Sequence, residues 1–334
     1  MTKLDLRMTE FDFIRNHLAP LAGPEGLGLR DDAALLTPPS GHDLVITKDT
    51  LVEGVHFPRG MYGAAVAERL LRTNLSDLAA KGAAPLGYLL SIAVPPTMNG
   101  EMMGAFAKGL AAVQESYPPL VLYGGDTVKI AGPLVVTATV IGRVPTGKMI
   151  MRSGASSGED VWVSGFIGEG YMGLKHVQSQ KIDPPPTGEA LWRWEEAYLR
   201  PEPRLKLGGF LRNVATAAAD ISDGLVADAG HIALASDIKI EFDLASVPLT
   251  TGTYLWANGQ EDRLKAKLDI ITAGDDYELV FTARPEQREL ITHAAEKLEQ
   301  PLSRIGRTGE GQGVVVLGYD GEAIAVASKG YQHF

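Results

Sequence analysis

Cysteine is missing from all 334 residues. Disulfides, thiolate nucleophiles, Cys-ligated zinc and iron–sulfur clusters are therefore excluded. Long apolar runs are missing too. No stretch reaches the roughly 18 uninterrupted apolar residues of a spanning helix. The opening Met1-Thr2-Lys3-Leu4-Asp5 lacks the apolar core of a signal peptide. A cytoplasmic location is the expectation, with no membrane partner. Basic residues are in deficit, 31 against 41 acidic, for a net charge of -10. That argues against nucleic acid as a partner. It does not argue against a phosphate ligand, because bound Mg²⁺ reverses the local sign. Several signatures are also absent: the Walker A loop, the protein-kinase catalytic-loop and Asp-Phe-Gly motifs, the EF-hand run and any solenoid repeat.

What the chain has is aspartate, in short clusters flanked by Gly, Ser and Thr. These are Asp31-Asp32, Asp49, Asp77 in Asn74-Leu75-Ser76-Asp77, Asp126 in Gly124-Gly125-Asp126-Thr127, Asp220-Ile221-Ser222-Asp223 and Gly274-Asp275-Asp276. Each alone reads as well as a turn or a helix cap. Gathered in one place, such carboxylates repel one another unless cations neutralise them. Mg²⁺ suits such a set, because it takes a few carboxylates together with substrate phosphates and water.

The length fits two domains, and 45% hydrophobic with 22% charged residues is ordinary for a globular chain. Alternating apolar patterns predict a mixed α/β or α+β architecture. Thr9 is a plausible N-cap for a helix bearing Phe11, Ile14 and Leu18. Leu44–Asp49 reads as a strand with Val45, Thr47 and Asp49 on one face and Lys48 on the other. Ala64–Lys81 reads as a helix closed by Gly82, with Asp77 at the edge of a Leu70, Leu71, Leu75, Leu78 stripe. Leu86–Val94 and Leu134–Val144 are expected strands, and Gly100–Tyr117 a helix. Leu120–Tyr123 is expected to be a short strand ending at Gly124. The boundary is expected within Pro145–Gly158, giving domains 1–147 and 148–334. Further on, Asp160–Ser164 reads as a strand, Gly165–Gly173 as glycine-rich, and Lys181–Gly188 as a loop around Pro184-Pro185-Pro186. Ser222–Ala235 reads as a helix capped at or near Ser222. Leu268–Thr272 and Tyr277–Thr282 read as strands, and Pro285–Leu298 as a helix.

With these motifs assembled, the chain resembles the thiamine-monophosphate kinase family, within the superfamily of aminoimidazole ribonucleotide synthetase. The resemblance runs through Asp31-Asp32-Ala33-Ala34, Asp49 to Phe57, Asn74 to Ala80 and Gly124-Gly125-Asp126-Thr127. It continues through Arg152-Ser153-Gly154-Ala155, Ser222-Asp223-Gly224-Leu225, Gly274 to Leu279 and Gly330-Tyr331-Gln332-His333-Phe334. It implies a two-domain fold with a β-rich, dimerising N-terminal domain and a mixed α+β C-terminal domain. It also implies ATP-dependent phosphorylation of thiamine phosphate by direct transfer, with several Mg²⁺ ions and a homodimer. By motif position, Asp32, Thr47, Asp49, Asp77, Asp126, Asp220 and Asp223 would be metal ligands. Gly125, Asp126, Arg152 and Ser222 would contact ATP, and His56, Asp275 and Tyr331 the thiamine phosphate. No catalytic residue beyond the metal cluster is implied, which suits an acceptor phosphate that is already ionised.

The chain departs from the family twice. Arg30 stands where a glycine of the first motif is usual, and Lys48 stands where a threonine is common. An ammonium cannot ligate Mg²⁺, so only the Lys48 carbonyl is left for such a contact. Two other readings stay open on the residues alone: an aminoimidazole ribonucleotide synthetase-like ligase, and a non-catalytic metal- or nucleotide-binding module.

Overall fold

The computed structural model describes residues 9–326 and 330. Two compact units share the chain. The first takes it through Leu78 and again over Ala84–Gly147, and the second takes Ala79–Ala83 and the chain from Lys148 on.

The first unit begins with α1 (Glu10–Phe13). Thr9 caps it, accepting from the Asp12 amide at 3.2 Å, and Asp12 returns the bond in a capping box. The helix then widens into a π turn over Ile14–Leu18. Phe13 and Leu18 are buried, whereas Phe11 is 75% exposed. Five-residue spacing is what a π turn aligns, so the apolar stripe expected through Phe11 is displaced.

Four strands follow: β1 (His42–Val52), β2 (Ala84–Val94), β3 (Val121–Lys129) and β4 (Val135–Pro145). They form one sheet in the order β1-β4-β2-β3, with only β2 and β3 parallel. Helices α2 (Ala64–Ala80) and α3 (Gly100–Ser116) lie on one face. Gln114 of α3 donates to the buried Tyr88 hydroxyl of β2 at 3.2 Å. Leu70, Leu71, Leu75 and Leu78 of α2 are fully buried, as are Val136, Ala138 and Val140 of β4. The period of two leaves the other face open, with Ile46 64%, Leu89 40% and Val128 49% exposed.

The strand expected to stop at Gly124 instead runs through Gly124-Gly125-Asp126 to Lys129. Its pairing with β2 shifts register at Tyr123, which falls between the partners of Tyr88 and Leu89, and β3 stays paired beyond the shift. A Cβ on Gly125 would sit 1.8 Å from the Leu90 carbonyl oxygen. Glycine here permits a close strand approach, not a turn.

The second unit holds a seven-stranded sheet in the order β11-β10-β7-β9-β5-β8-β6. Its strands are β5 (Asp160–Ser164), β6 (Ala215–Asp220), β7 (Lys239–Asp243), β8 (Leu279–Ala283), β9 (Leu302–Gly309), β10 (Gly313–Leu317) and β11 (Ala323–Ile324). The helices are α4 (Glu169–Val177), α5 (Gly188–Leu199), α6 (Leu205–Leu211), α7 (Leu225–Ser236), α8 (Thr251–Asn258), α9 (Arg263–Thr272) and α10 (Arg288–Lys297). Every residue of β5 and β8 is buried, because the sheet is covered on both faces. Val161 and Val163 point into one core with Trp194, Ile232 and Phe242. Trp162 points into the other with Leu207, Leu211 and Ile291.

Three expectations change in this unit. Leu268–Thr272 is not a strand but the second half of α9, where Ala266, Ile270 and Ile271 are buried. Asp262 caps that helix by accepting from the Lys265 amide at 2.8 Å. A short apolar run does not by itself distinguish strand from helix. The glycine-rich stretch runs into α4 at Glu169, and the start of this helix is held by an acidic side chain described below. Helix α7 begins at Leu225 behind Gly224, with no side-chain cap, so Ser222 is not its cap. Among the described residues, no helix is long and apolar enough to cross a membrane.

Candidate active site

In the first unit, strand β1 puts Val45, Thr47, Asp49 and Leu51 on its inward face, with Thr47 and Asp49 half-buried between the buried ends. Helix α2 brings Asp77, at the half-buried edge of its leucine stripe, against them. The Thr47 hydroxyl donates to Asp77 Oδ2 at 2.5 Å. Asp77 is thereby used as an acceptor, the state in which a carboxylate also ligates a metal. Lys48 lies on the opposite, open face.

Elsewhere in this unit a cavity of about 260 Å³ is bordered by Asp31, Asp32, Leu89, Tyr123 and Gly124–Thr127. The Asp31 carboxylate accepts from the Asp32 amide at 2.8 Å. Leu27, Gly28 and Leu29, on its approach, have φ of 50°, 67° and 54°. Left-handed non-glycine residues store strain, and such strain gathers at binding sites. Burial pushes the Tyr123 phenol up to about 12, with the Glu25 charge adding to the effect. Tyr123 is therefore a neutral hydroxyl at physiological pH.

His56 is oriented by backbone. The Val52 amide donates to its Nδ1 at 3.0 Å, so a neutral ring carries its proton on Nε2. Its loop is pinned by Glu53, which accepts from the Gly60 amide at 2.8 Å, the Tyr62 hydroxyl at 3.0 Å and the Leu134 amide at 2.9 Å. Burial acts to raise the Glu53 carboxyl, but these donors and the Arg59 charge outweigh it and hold it below its ordinary value. This explains why a buried glutamate stands in the motif that ends at Phe57.

In the second unit, β6 ends at the buried Asp220. The turn that follows is hydrogen-bonded to the loop after α9. The Asp275 amide donates to the Ser222 carbonyl at 2.9 Å, and the Tyr277 amide to the Ile221 carbonyl at 2.8 Å. Two motifs far apart in sequence thus form one surface. Asp275 and Tyr277 both take left-handed φ, 73° and 52°, and the Tyr277 hydroxyl donates to Asp275 Oδ1 at 3.2 Å. Gly330 closes on the same turn: a Cβ there would meet the Asp223 carbonyl oxygen at 2.8 Å.

Asp276 faces away from that surface. Its carboxylate accepts from the Gly168 amide at 2.8 and 2.9 Å and from Gly170 at 3.3 Å, holding the start of α4. Burial, reinforced by Glu278 and Glu169, raises it well above the usual carboxylate range.

One acidic residue here escapes sequence reasoning. Asp228, in the first turn of α7, is 1% exposed and accepts from the Ser222 and Asp223 amides. Burial pushes it up to about 7; the Asp223 amide and Arg152 act against this, and the Asp223 charge adds to it. Oxygen or nitrogen atoms of Asp223, Asp228 and His231 lie within 4.8 Å of one another. An aspartate inside a helical pattern, six residues past Ser222, gives no local signal that it reaches backwards.

Residues 30–144 match the family described as AIR synthase related protein, N-terminal domain, and residues 157–318 match its C-terminal domain. The chain is 42% identical over 327 residues to the thiamine-monophosphate kinase of Caulobacter vibrioides, covering 97% of this chain and 91% of that one. The chain belongs to the thiamine-monophosphate kinase family. The crystal structure of the thiamine-monophosphate kinase from Stenotrophomonas maltophilia superposes with a TM-score of 0.78 at 39% identity, over 89% of this chain and 91% of that one. A structure described as AaThiL complexed with AMPPCP and TMP superposes at 0.76 and 29% identity, over 98% and 97%. The two-domain aminoimidazole ribonucleotide synthetase-like architecture expected from the sequence is the one observed.

Within this kinase family fold, the first unit joins Thr47 to Asp77 directly, and its cavity gathers Asp32, Gly125 and Asp126. Asp49 shares the Thr47 face. The second unit gathers Asp220, Ser222, Asp223 and Asp275 on two linked turns, and Arg152 is close enough for its charge to act on Asp228. Tyr331 lies outside the described residues. The donor set of carboxylates and a hydroxyl is hard oxygen throughout, which suits Mg²⁺.

Proposed function

We propose that this chain transfers the γ-phosphoryl group of ATP to thiamine phosphate, giving thiamine diphosphate and ADP. An oxygen of the acceptor phosphate forms the new bond to the γ-phosphorus, in line with the breaking bond to ADP. The observation that carries the reading is the glycine-bordered cavity lined by Asp32, Gly125 and Asp126 in a member of this family. It is supported by a relative described as complexed with AMPPCP and TMP.

In this reading Asp32, Thr47, Asp49, Asp77 and Asp126 of the first unit, and Asp220 and Asp223 of the second, would be Mg²⁺ ligands. Bound Mg²⁺ supplies neutralisation of the charge on the two phosphate groups that must meet. The remaining work belongs to the chain. The Gly125 backbone, Arg152 and Ser222 bind ATP, and a guanidinium suits a phosphate partner. His56 and Asp275 orient thiamine phosphate, joined by Tyr331. Because the acceptor is already an anion, no side chain need remove a proton. The enzyme is proposed to be cytoplasmic.

The open face of the first sheet supports a homodimer. Cross-strand register places Ile46 beside Ile141, and Lys48, Thr139 and Leu89 in the next row. Ile46, Leu89 and Val128, exposed on one face of the sheet, are apolar surface of the kind that a second copy covers.

The test is an assay of purified chain with thiamine phosphate, excess Mg²⁺ and ATP labelled in the γ-phosphate. Label in thiamine diphosphate is expected. No label there, with ATP consumed only on an amidine substrate that closes to an imidazole, would favour the ligase reading instead.

A further inference from the structure

We infer that Asp228 is a positioning residue, whose buried carboxylate sets the shape of the Ser222-Asp223 turn and so prepares it for Mg²⁺-bound ATP. The inference rests on the proposed roles of Ser222 and Asp223. One oxygen, Asp228 Oδ2, accepts from both the Ser222 and the Asp223 amides, each at 3.0 Å. Asp228 is 1% exposed, so the acceptor end of both bonds is closed to water. Helix α7 has no side-chain cap of its own, and Gly224 before it has φ 118°. Asp228 therefore spends its acceptor on the turn ahead of the helix rather than on the helix end.

The opposite edge of the turn is fastened by backbone, where the Asp275 amide donates to the Ser222 carbonyl at 2.9 Å. One edge is thus bonded to the loop before β8 and the other to the Asp228 side chain. Removing that side chain frees two consecutive amides and takes away the contact that holds this edge of the turn. The Ser222 hydroxyl, which takes no part in capping α7, keeps its direction only while the turn keeps its shape. Asp228 itself touches neither metal nor substrate in this scheme.

The test compares Asp228→Ala with Asp228→Asn, whose carboxamide oxygen still accepts both amides. In the kinase assay, Asp228→Ala should raise the KM for Mg²⁺-bound ATP by about tenfold or more, the size typical of lost supporting contacts at a metal site. The KM for thiamine phosphate should hold, and Asp228→Asn should recover most of the loss. A folded Asp228→Ala with wild-type KM for ATP, or an Asp228→Asn as impaired as Asp228→Ala, would overturn the inference. A second measurement needs neither variant nor activity. In the wild-type chain the Ser222 and Asp223 amides should exchange with solvent deuterium far more slowly than those of an exposed turn such as Gly311-Gln312. Fast exchange at both would also overturn it. Wild-type chain without kinase turnover but with slow exchange would sink the kinase reading and leave the positioning intact.

Discussion

Thr47 on strand β1 gives its hydroxyl hydrogen to Asp77 on helix α2 at 2.5 Å. This contact joins two motifs thirty residues apart into one acidic patch, and it fixes which way the Asp77 carboxylate faces. Thr47→Val removes the donor but keeps the shape, so turnover should fall by about tenfold and require more Mg²⁺, while Thr47→Ser should stay near wild type. Steady-state rates across a Mg²⁺ titration check this.

Gly125→Ala should be far more damaging than its size suggests. The new methyl would sit 1.8 Å from the Leu90 carbonyl oxygen, a distance that only separation of β2 and β3 can relieve. Soluble yield or thermal midpoint should drop sharply, and any folded fraction should bind ATP weakly by calorimetry. The same substitution at Gly147, where nothing lies within 4 Å of the added methyl, is the control for a glycine-to-alanine change in the same unit; its positive φ predicts a modest cost of about 1 kcal/mol.

Oligomeric state should respond to the open sheet face. Ile46→Arg, at a position 64% exposed in the single chain, adds a charge to the proposed interface. Light scattering after size exclusion should show wild type at twice the chain mass and the variant at or near the chain mass. A wild-type monomer would remove this face from consideration as an interface.

Asp160 provides a pH handle remote from the acidic motifs. Burial acts to raise its carboxyl, but Arg288 at 2.6 and 2.7 Å, joined by Arg304 at 3.3 Å, outweighs it and holds the group below its ordinary value. Folding therefore favours the ionised form. That contribution is complete above the ordinary carboxylate pKa and is lost as pH falls through the depressed folded value. Asp160→Asn should lower the thermal midpoint near neutral pH, by about 1–3 kcal/mol of stability. The gap from wild type should narrow as the pH falls below about 4.

The sequence discloses this molecule unevenly, and the reasons are physical. Period-two and leucine-stripe patterns gave β1 and α2 and placed Thr47, Asp49 and Asp77 correctly relative to their cores, because one face of each is buried. The glycines before Asp126 suggest the end of a strand, since glycines usually mark turns; only the adjacent strand reveals that Gly125 is there for close approach. Leu268–Thr272 misled because a short apolar run fits either period. Phe11 misled because a π turn shifts the buried set to Phe13 and Leu18. Asp228 and Asp276 lay beyond reach: what each does is accept amides from segments brought near by tertiary structure, and a list of residues holds no trace of that. The family motifs disclose the family and the fold, since they join distant segments by resemblance and not by spacing.

The most direct test of the central claim, that clustered carboxylates hold Mg²⁺ for phosphoryl transfer to thiamine phosphate, is the rate of thiamine diphosphate formation by Asp77→Asn across a Mg²⁺ titration. The amide keeps the shape and accepts from Thr47 but lacks the charge. Turnover should fall by about 10² or more at wild-type Mg²⁺ concentrations and recover only in part at high Mg²⁺. Wild-type turnover with unchanged Mg²⁺ dependence would contradict it.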